Sequence, residues 1–111
     1  MVRRMVLPMV VLLLAPASAS AAGNVEARVR VAKKACLSGD TKKGTELLAD
    51  LYIDTNDATH IYNQGRCFEQ NGQKEQAIPR FEEYLRKAKD LSSDDVDAVH
   101  KRIESLRTPD P

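Results

Sequence analysis

The feature that most restricts how this chain can fold is a spacing. Small and large residues recur 33 positions apart: Ala32 and Gly65, Gly39 and Gly72, Gly44 and Ala77, Leu48 and Phe81, Leu51 and Tyr84. Around them, apolar residues step by three and four. Val25, Val29, Ala32, Ala35 and Cys36 form one face, and Leu47, Leu48 and Leu51 a second. Ile61, Gly65 and Phe68 form a third, and Ala77, Ile78, Phe81, Tyr84 and Leu85 a fourth. Such steps put side chains on one face of a helix, whereas a strand would alternate. A fixed long period in a helical sequence means that one helix-pair unit occurs twice, each covering the other's apolar face. Small residues let helices approach closely, and large ones fill the gap between adjacent units.

The punctuation agrees with the period. Ser38-Gly39-Asp40 breaks the first face and offers a helix cap. Asp54-Thr55-Asn56-Asp57 is a polar break with several candidate caps. Asn71-Gly72 could announce a β-hairpin, but its flanks have helical period, so a turn between helices is expected. Leu91 closes the fourth helix. Pro79 lies inside that helix and removes a backbone donor, which predicts a kink rather than a break because the apolar face continues beyond it. Ser92 and Asp95 resemble a capping box ahead of Val96, Val99, Ile103 and Leu106, one clean stripe. Residues 108–111 read as a frayed tail. The expectation is an all-α chain of five helices with short connections and no strand.

The first 21 residues differ from the rest. Arg3 and Arg4 precede an apolar run from Met5 to Ala17 that contains Pro8 and Pro16, and small residues follow to Ala22. That order predicts a secretory signal, with cleavage after Ala21, where Ala19 and Ala21 satisfy the small-residue rule, or after Ala19 or Ala22. The run is too short to cross roughly 30 Å of hydrocarbon, so no stable membrane anchor is expected once it is removed. No cysteine lies near the cleavage region, which argues against a lipid anchor. A periplasmic or secreted location follows. The whole chain of 111 residues carries a net charge of +1, and loss of the two arginines makes it −1. A near-neutral domain of this size gives no charge-based case for nucleic-acid or membrane binding.

Export changes how Cys36 and Cys67 are read. In an oxidising compartment an even pair points to a disulfide. Closing a loop of this length would stabilise the fold by about 3–4 kcal/mol in the chain-entropy model. The alternative is two small buried apolar residues that never meet.

Residues 58–85, ATHIYNQGRCFEQNGQKEQAIPRFEEYL, resemble a tetratricopeptide repeat. Gly65 stands at the family's small position in the first helix, Phe68 at its aromatic position and Gly72 at its turn glycine. Ala77 and Phe81 match the small and aromatic residues of the second helix, and Tyr62 and Asn63 match a frequent tyrosine and asparagine. Ile61 stands where the family has tryptophan, and Gln64 where it has leucine. Residues 25–52 form a weaker copy. The segment YNQGRCFEQNG is also similar to small exported bacterial proteins with this kind of repeat. The resemblance implies an α-solenoid domain over 24–107: two antiparallel helix-pair repeats, about 25–57 and 58–91, and a capping helix at 93–107. It puts Cys36 and Cys67 at similar height on neighbouring first helices, where a bridge would offset the marginal size of a two-repeat stack.

No nucleophile elbow, phosphate loop, dinucleotide turn or zinc-protease motif is present, so neither catalysis nor a cofactor is expected. His60, Cys67, Cys36 and His100 make a two-cysteine, two-histidine set only on paper, because their spacing fits no zinc module. Glu82-Glu83 and Asp94-Asp95 are sequence neighbours, so on a helix each pair diverges by about 100°. The resemblance implies instead that the first helices face a concave, peptide-binding groove. It would expose Glu26, Val29, Arg30, Lys33, Cys36 and Leu37, and then Thr59, Tyr62, Asn63, Arg66, Glu69 and Gln70. Arg30, Lys33, Tyr62, Asn63, Arg66 and Gln70 are the candidate contact residues. Three cations and an amide suit an acidic protein or peptide partner, with Tyr62 as an apolar wall carrying a polar tip. The other expectation is a module that completes a helical stack, as a homo- or hetero-oligomer.

Overall fold

The computed structural model describes residues 8–11 and 17–109. Most of the expected signal segment, residues 1–7 and 12–16, and the end of the tail, residues 110–111, lie outside the described residues. The described chain is all-α, with helices α1 (Ala17–Leu37), α2 (Thr41–Thr55), α3 (Thr59–Gln70), α4 (Lys74–Lys87) and α5 (Ser93–Arg107). No strand occurs among the described residues.

Local chemistry sets the boundaries. Gly39 ends α1 at φ +89, while the Asp40 amide donates back to the Ala35 carbonyl at 2.9 Å. The Asp40 carboxylate then accepts from the Lys43 amide at 3.3 Å and opens α2. Asn56, in the left-handed region at φ 56, closes α2, with its amide on the Tyr52 carbonyl at 2.7 Å. Gly72 turns the chain at φ +72, and the Gln73 amide reaches the Phe68 carbonyl at 2.9 Å. These are helix ends of the left-handed type, which satisfy carbonyls that the helix itself leaves open. Ser92 caps α5 by accepting from the Asp95 amide at 3.1 Å, and Asp94 and Asp95 answer the positive helix end.

Two boundaries differ from the periodic reading. Helix α1 begins at Ala17, well ahead of Val25, in a stretch of alanine and serine that carries no apolar period but includes strong helix formers. Helix α4 ends at Lys87, short of Leu91, which lies in the connection to α5 beside Asp90 at φ 60. Through Pro79 the helix runs on unbroken, with the proline ring on its exposed side.

Consecutive helices pack together, and α1 also touches α3. Arg28 near the start of the α1–α2 contact pairs with Asp54 near the end of α2 at 2.8 Å. Gln64 in the middle of α3 donates to the Thr45 carbonyl early in α2 at 3.0 Å. Tyr62 at the start of α3 meets Tyr84 at the end of α4. Neighbours therefore run antiparallel, and α1 and α3 point the same way.

The core has two parts. Ala32, Cys36, Leu48, Leu51 and Cys67 form one, and Ala77, Phe81, Val99 and Ile103 the other. In the first, Ala32 of α1 lies with Leu48 of α2. In the second region, Gly65 of α3 seats the Phe81 ring so closely that a Cβ there would stand 2.7 Å from it. The small and large residues that recur in the sequence thus meet each other across successive helix contacts. Each fully buried Leu or Phe contributes roughly 1.5–3 kcal/mol. Helix α5 covers the far side of Phe81 with Val99 and Ile103, and the Arg102 guanidinium lies 5.9 Å from the ring centroid.

Candidate functional site

Cys36 and Cys67 are joined in a disulfide, with Cα atoms 5.1 Å apart. The bridge ties the last turn of α1 to the last turn of α3. Asn71, just past α3, reinforces it: its side-chain amide donates to the Cys36 carbonyl at 3.0 Å and the Cys67 carbonyl at 2.8 Å. One side chain therefore satisfies carbonyls near the ends of two helices and fixes their relative height. Gly44 of α2 passes directly behind the sulfurs, where a Cβ would collide with the Cys36 Sγ.

Between α1 and α3 lies a groove of about 250 Å³. Lys33, Cys36 and Leu37 of α1 line it, with Leu48 of α2 and Tyr62, Asn63, Arg66 and Gln70 of α3. Five of the six candidate contact residues meet there. Arg30 is exposed one turn earlier on α1 and is not among the lining residues. Glu26, Val29, Thr59 and Glu69 also stand outside the lining, while Leu48, which the repeat register does not point to, belongs to it.

The electrostatics of the groove are uneven. Lys33 is exposed and makes no ion pair among the described residues. Arg66 pairs with Glu69 on its own helix, and Glu69 also accepts from Arg102 Nη1 of α5 at 2.6 Å. Lys33 and Arg66 are thus the cations of the lining, and Arg102, beside the groove, shares the carboxylate that Arg66 meets. Arg102 was not legible as a partner of this site, since nothing local marks it; only its place beside the Val99–Ile103 stripe turns it toward α3. Tyr62 packs against Phe81 at 5.3 Å between ring centroids and against Tyr84 at 5.1 Å, so its ring is held rather than free. The side-chain amides of Asn63 and Gln70 make no hydrogen bond to described residues.

A larger cleft of about 550 Å³ lies where the α2–α3 turn faces the end of α4. Lys87 and Lys89 line it, but so does Asp57, which is already committed to the start of α3 by accepting from the Thr59 amide at 2.9 Å. Hydrogen bonds from Thr59, backbone first and then side chain, hold the Asp57 carboxyl below its ordinary value. Burial pushes the Tyr84 phenol at the same cleft up. Its size alone gives no reason to prefer it to the groove.

The bonded cysteines are not available as metal ligands, and no group of three His, Cys, Asp or Glu among the described residues could hold an ion. His60 is buried and its Nδ1 has no partner among the described residues. No protein-family model matches this chain, and neither a curated protein nor a solved structure shows significant similarity to it.

Proposed function

We propose that the protein is a small exported scaffold of tetratricopeptide type that binds an acidic segment of another protein in the groove between α1 and α3, without catalysis. In this reading α1–α2 and α3–α4 are two repeats and α5 caps the stack. The 33-residue correspondence supports it, because Ala32 with Leu48 and Gly65 with Phe81 take equivalent places in the two helix pairs. The observation that carries the functional part is the meeting of Lys33, Tyr62, Asn63, Arg66 and Gln70 in one groove. The half-exposed Val31 and exposed Ile53 favour a second reading, a module completing a stack with another chain.

The two are separable. Acidic peptides should bind the wild-type protein and lose binding to Lys33→Glu/Arg66→Glu, with an unchanged circular-dichroism spectrum. Equal binding by both proteins would remove the groove from consideration. Size-exclusion at rising concentration tests the second reading, for which a strict monomer throughout is the contrary result. The mass of the exported protein, without reductant, should lack about 21 residues, the length of a secretory signal.

A further inference from the structure

We infer that the groove takes one large apolar side chain, so that its ligand is a peptide in which an apolar residue is flanked by aspartate or glutamate. This rests on the reading of the groove as a peptide site and names what it selects. The character of the lining residues carries the inference. Cys36 and Leu48, both buried, back the groove, so the surface beneath its polar residues is apolar. Leu37 stands at the mouth, 76% exposed, a large apolar side chain that nothing in the described fold covers. The volume, about 250 Å³, holds a single large side chain. It falls below the roughly 300–1,000 Å³ of a small-molecule pocket.

The polar groups are placed differently. Lys33 and Gln70 are exposed at the rim, and Arg66 and Asn63 are half-buried on the α3 wall. Lys33 has no anionic partner among the described residues, and Arg66 shares its only one with Arg102. An apolar floor under a positive rim is complementary to an apolar anchor with carboxylates beside it, and repels a basic segment.

Fluorescence polarisation on the full oxidised chain tests this with fluorescein-labelled peptides. Each carries a central leucine, phenylalanine or alanine with two glutamates on either side. The leucine and phenylalanine peptides should bind more tightly than the alanine peptide by about ten- to a hundredfold, the effect of burying one such side chain. Leu37→Ser, at an exposed position, should reduce that preference. Lys33→Glu should weaken all three. Equal binding of the three peptides, still lost in Lys33→Glu, would overturn the apolar anchor and leave the acidic groove standing. No binding by any peptide, or binding that neither substitution alters, would overturn both.

Discussion

Gly44 and the disulfide form a pair whose dependence on each other can be measured. A Cβ at Gly44 would strike the Cys36 sulfur and stand 3.1 Å from both the Cys67 sulfur and the Ala32 carbonyl. While the sulfurs are bonded they cannot separate to make room. Gly44→Ala in the oxidised protein should therefore push α2 off α1 and cost about 1–3 kcal/mol, the usual range for overpacking. In Cys36→Ala/Cys67→Ala the sulfurs are gone. The new methyl group then enters the space they leave, and the better helix propensity of alanine stabilises by about 1 kcal/mol. The sign of the Gly44→Ala effect should reverse or vanish, giving a coupling of about 1–4 kcal/mol between the sites.

The cysteine substitution has its own large effect. It removes a cross-link between residues 31 apart in sequence. In the chain-entropy model that costs about 3.7 kcal/mol. A domain this small holds roughly 0.05–0.15 kcal/mol per residue, so the loss is a large share of the total. Urea unfolding followed by circular dichroism should be run on all four proteins, in sucrose to keep the weakest folded. If Gly44→Ala costs the same with and without the sulfurs, to within about 0.5 kcal/mol, the disulfide is not what demands glycine there.

Three further outcomes follow from the same geometry. Gly65→Ala should cost about 1–3 kcal/mol by pressing on the Phe81 ring, and Phe81→Leu in the same chain should recover part of it; equal costs in both backgrounds by thermal unfolding would contradict the seat. Asn71→Ala should cost about 1–3 kcal/mol through its two lost donations, and Asn71→Asp more, because a carboxylate would then face two carbonyls; a neutral result in urea unfolding would mean that the amide ties nothing. Asp57, whose carboxyl is held below the ordinary 3.8 by Thr59, stabilises the fold above that value and loses the contribution as pH falls through its folded pKa. The stability gap between wild type and Asp57→Ala should thus be full at neutral pH and shrink below pH 3.8, and a gap that does not change with pH would refute the assignment.

What the sequence made legible was the chemistry that is local. Gly39, Asp40, Gly72 and Ser92 act where they stand, so the turns and caps could be read without knowing the neighbours. The small–large series was legible for a related reason, since one residue's size on one helix constrains the residue opposite. Leu91 misled because an apolar residue in step with a helix face looks the same whether the helix continues or ends just before it. Asn71 shows the other limit. As half of an Asn-Gly pair it announced a turn, but its side chain's hold on Cys36 depends on α1 being next to α3. The groove followed the same division: the resemblance to a repeat family named the α1 and α3 residues, whereas Leu48 lines it from α2 and Arg102 stands beside it on α5, helices whose approach only the assembled fold provides.

That dependence on assembly gives α5 a second consequence. Val99 and Ile103 dock the helix against Ala77 and Phe81, which carries Arg102 to Glu69. If Glu69 met Arg66 alone, the two charges would cancel and the groove would present only Lys33. With Arg102 sharing the carboxylate, Lys33, Arg66 and Arg102 together outweigh it. Partly exposed ion pairs of this kind add little to stability, so the network matters for position and sign more than for energy. The hydrophobic stripe that covers Phe81 therefore also holds one more cation beside the groove, and a change that loosens α5 should weaken, without abolishing, binding of an acidic peptide even though α5 never lines the groove.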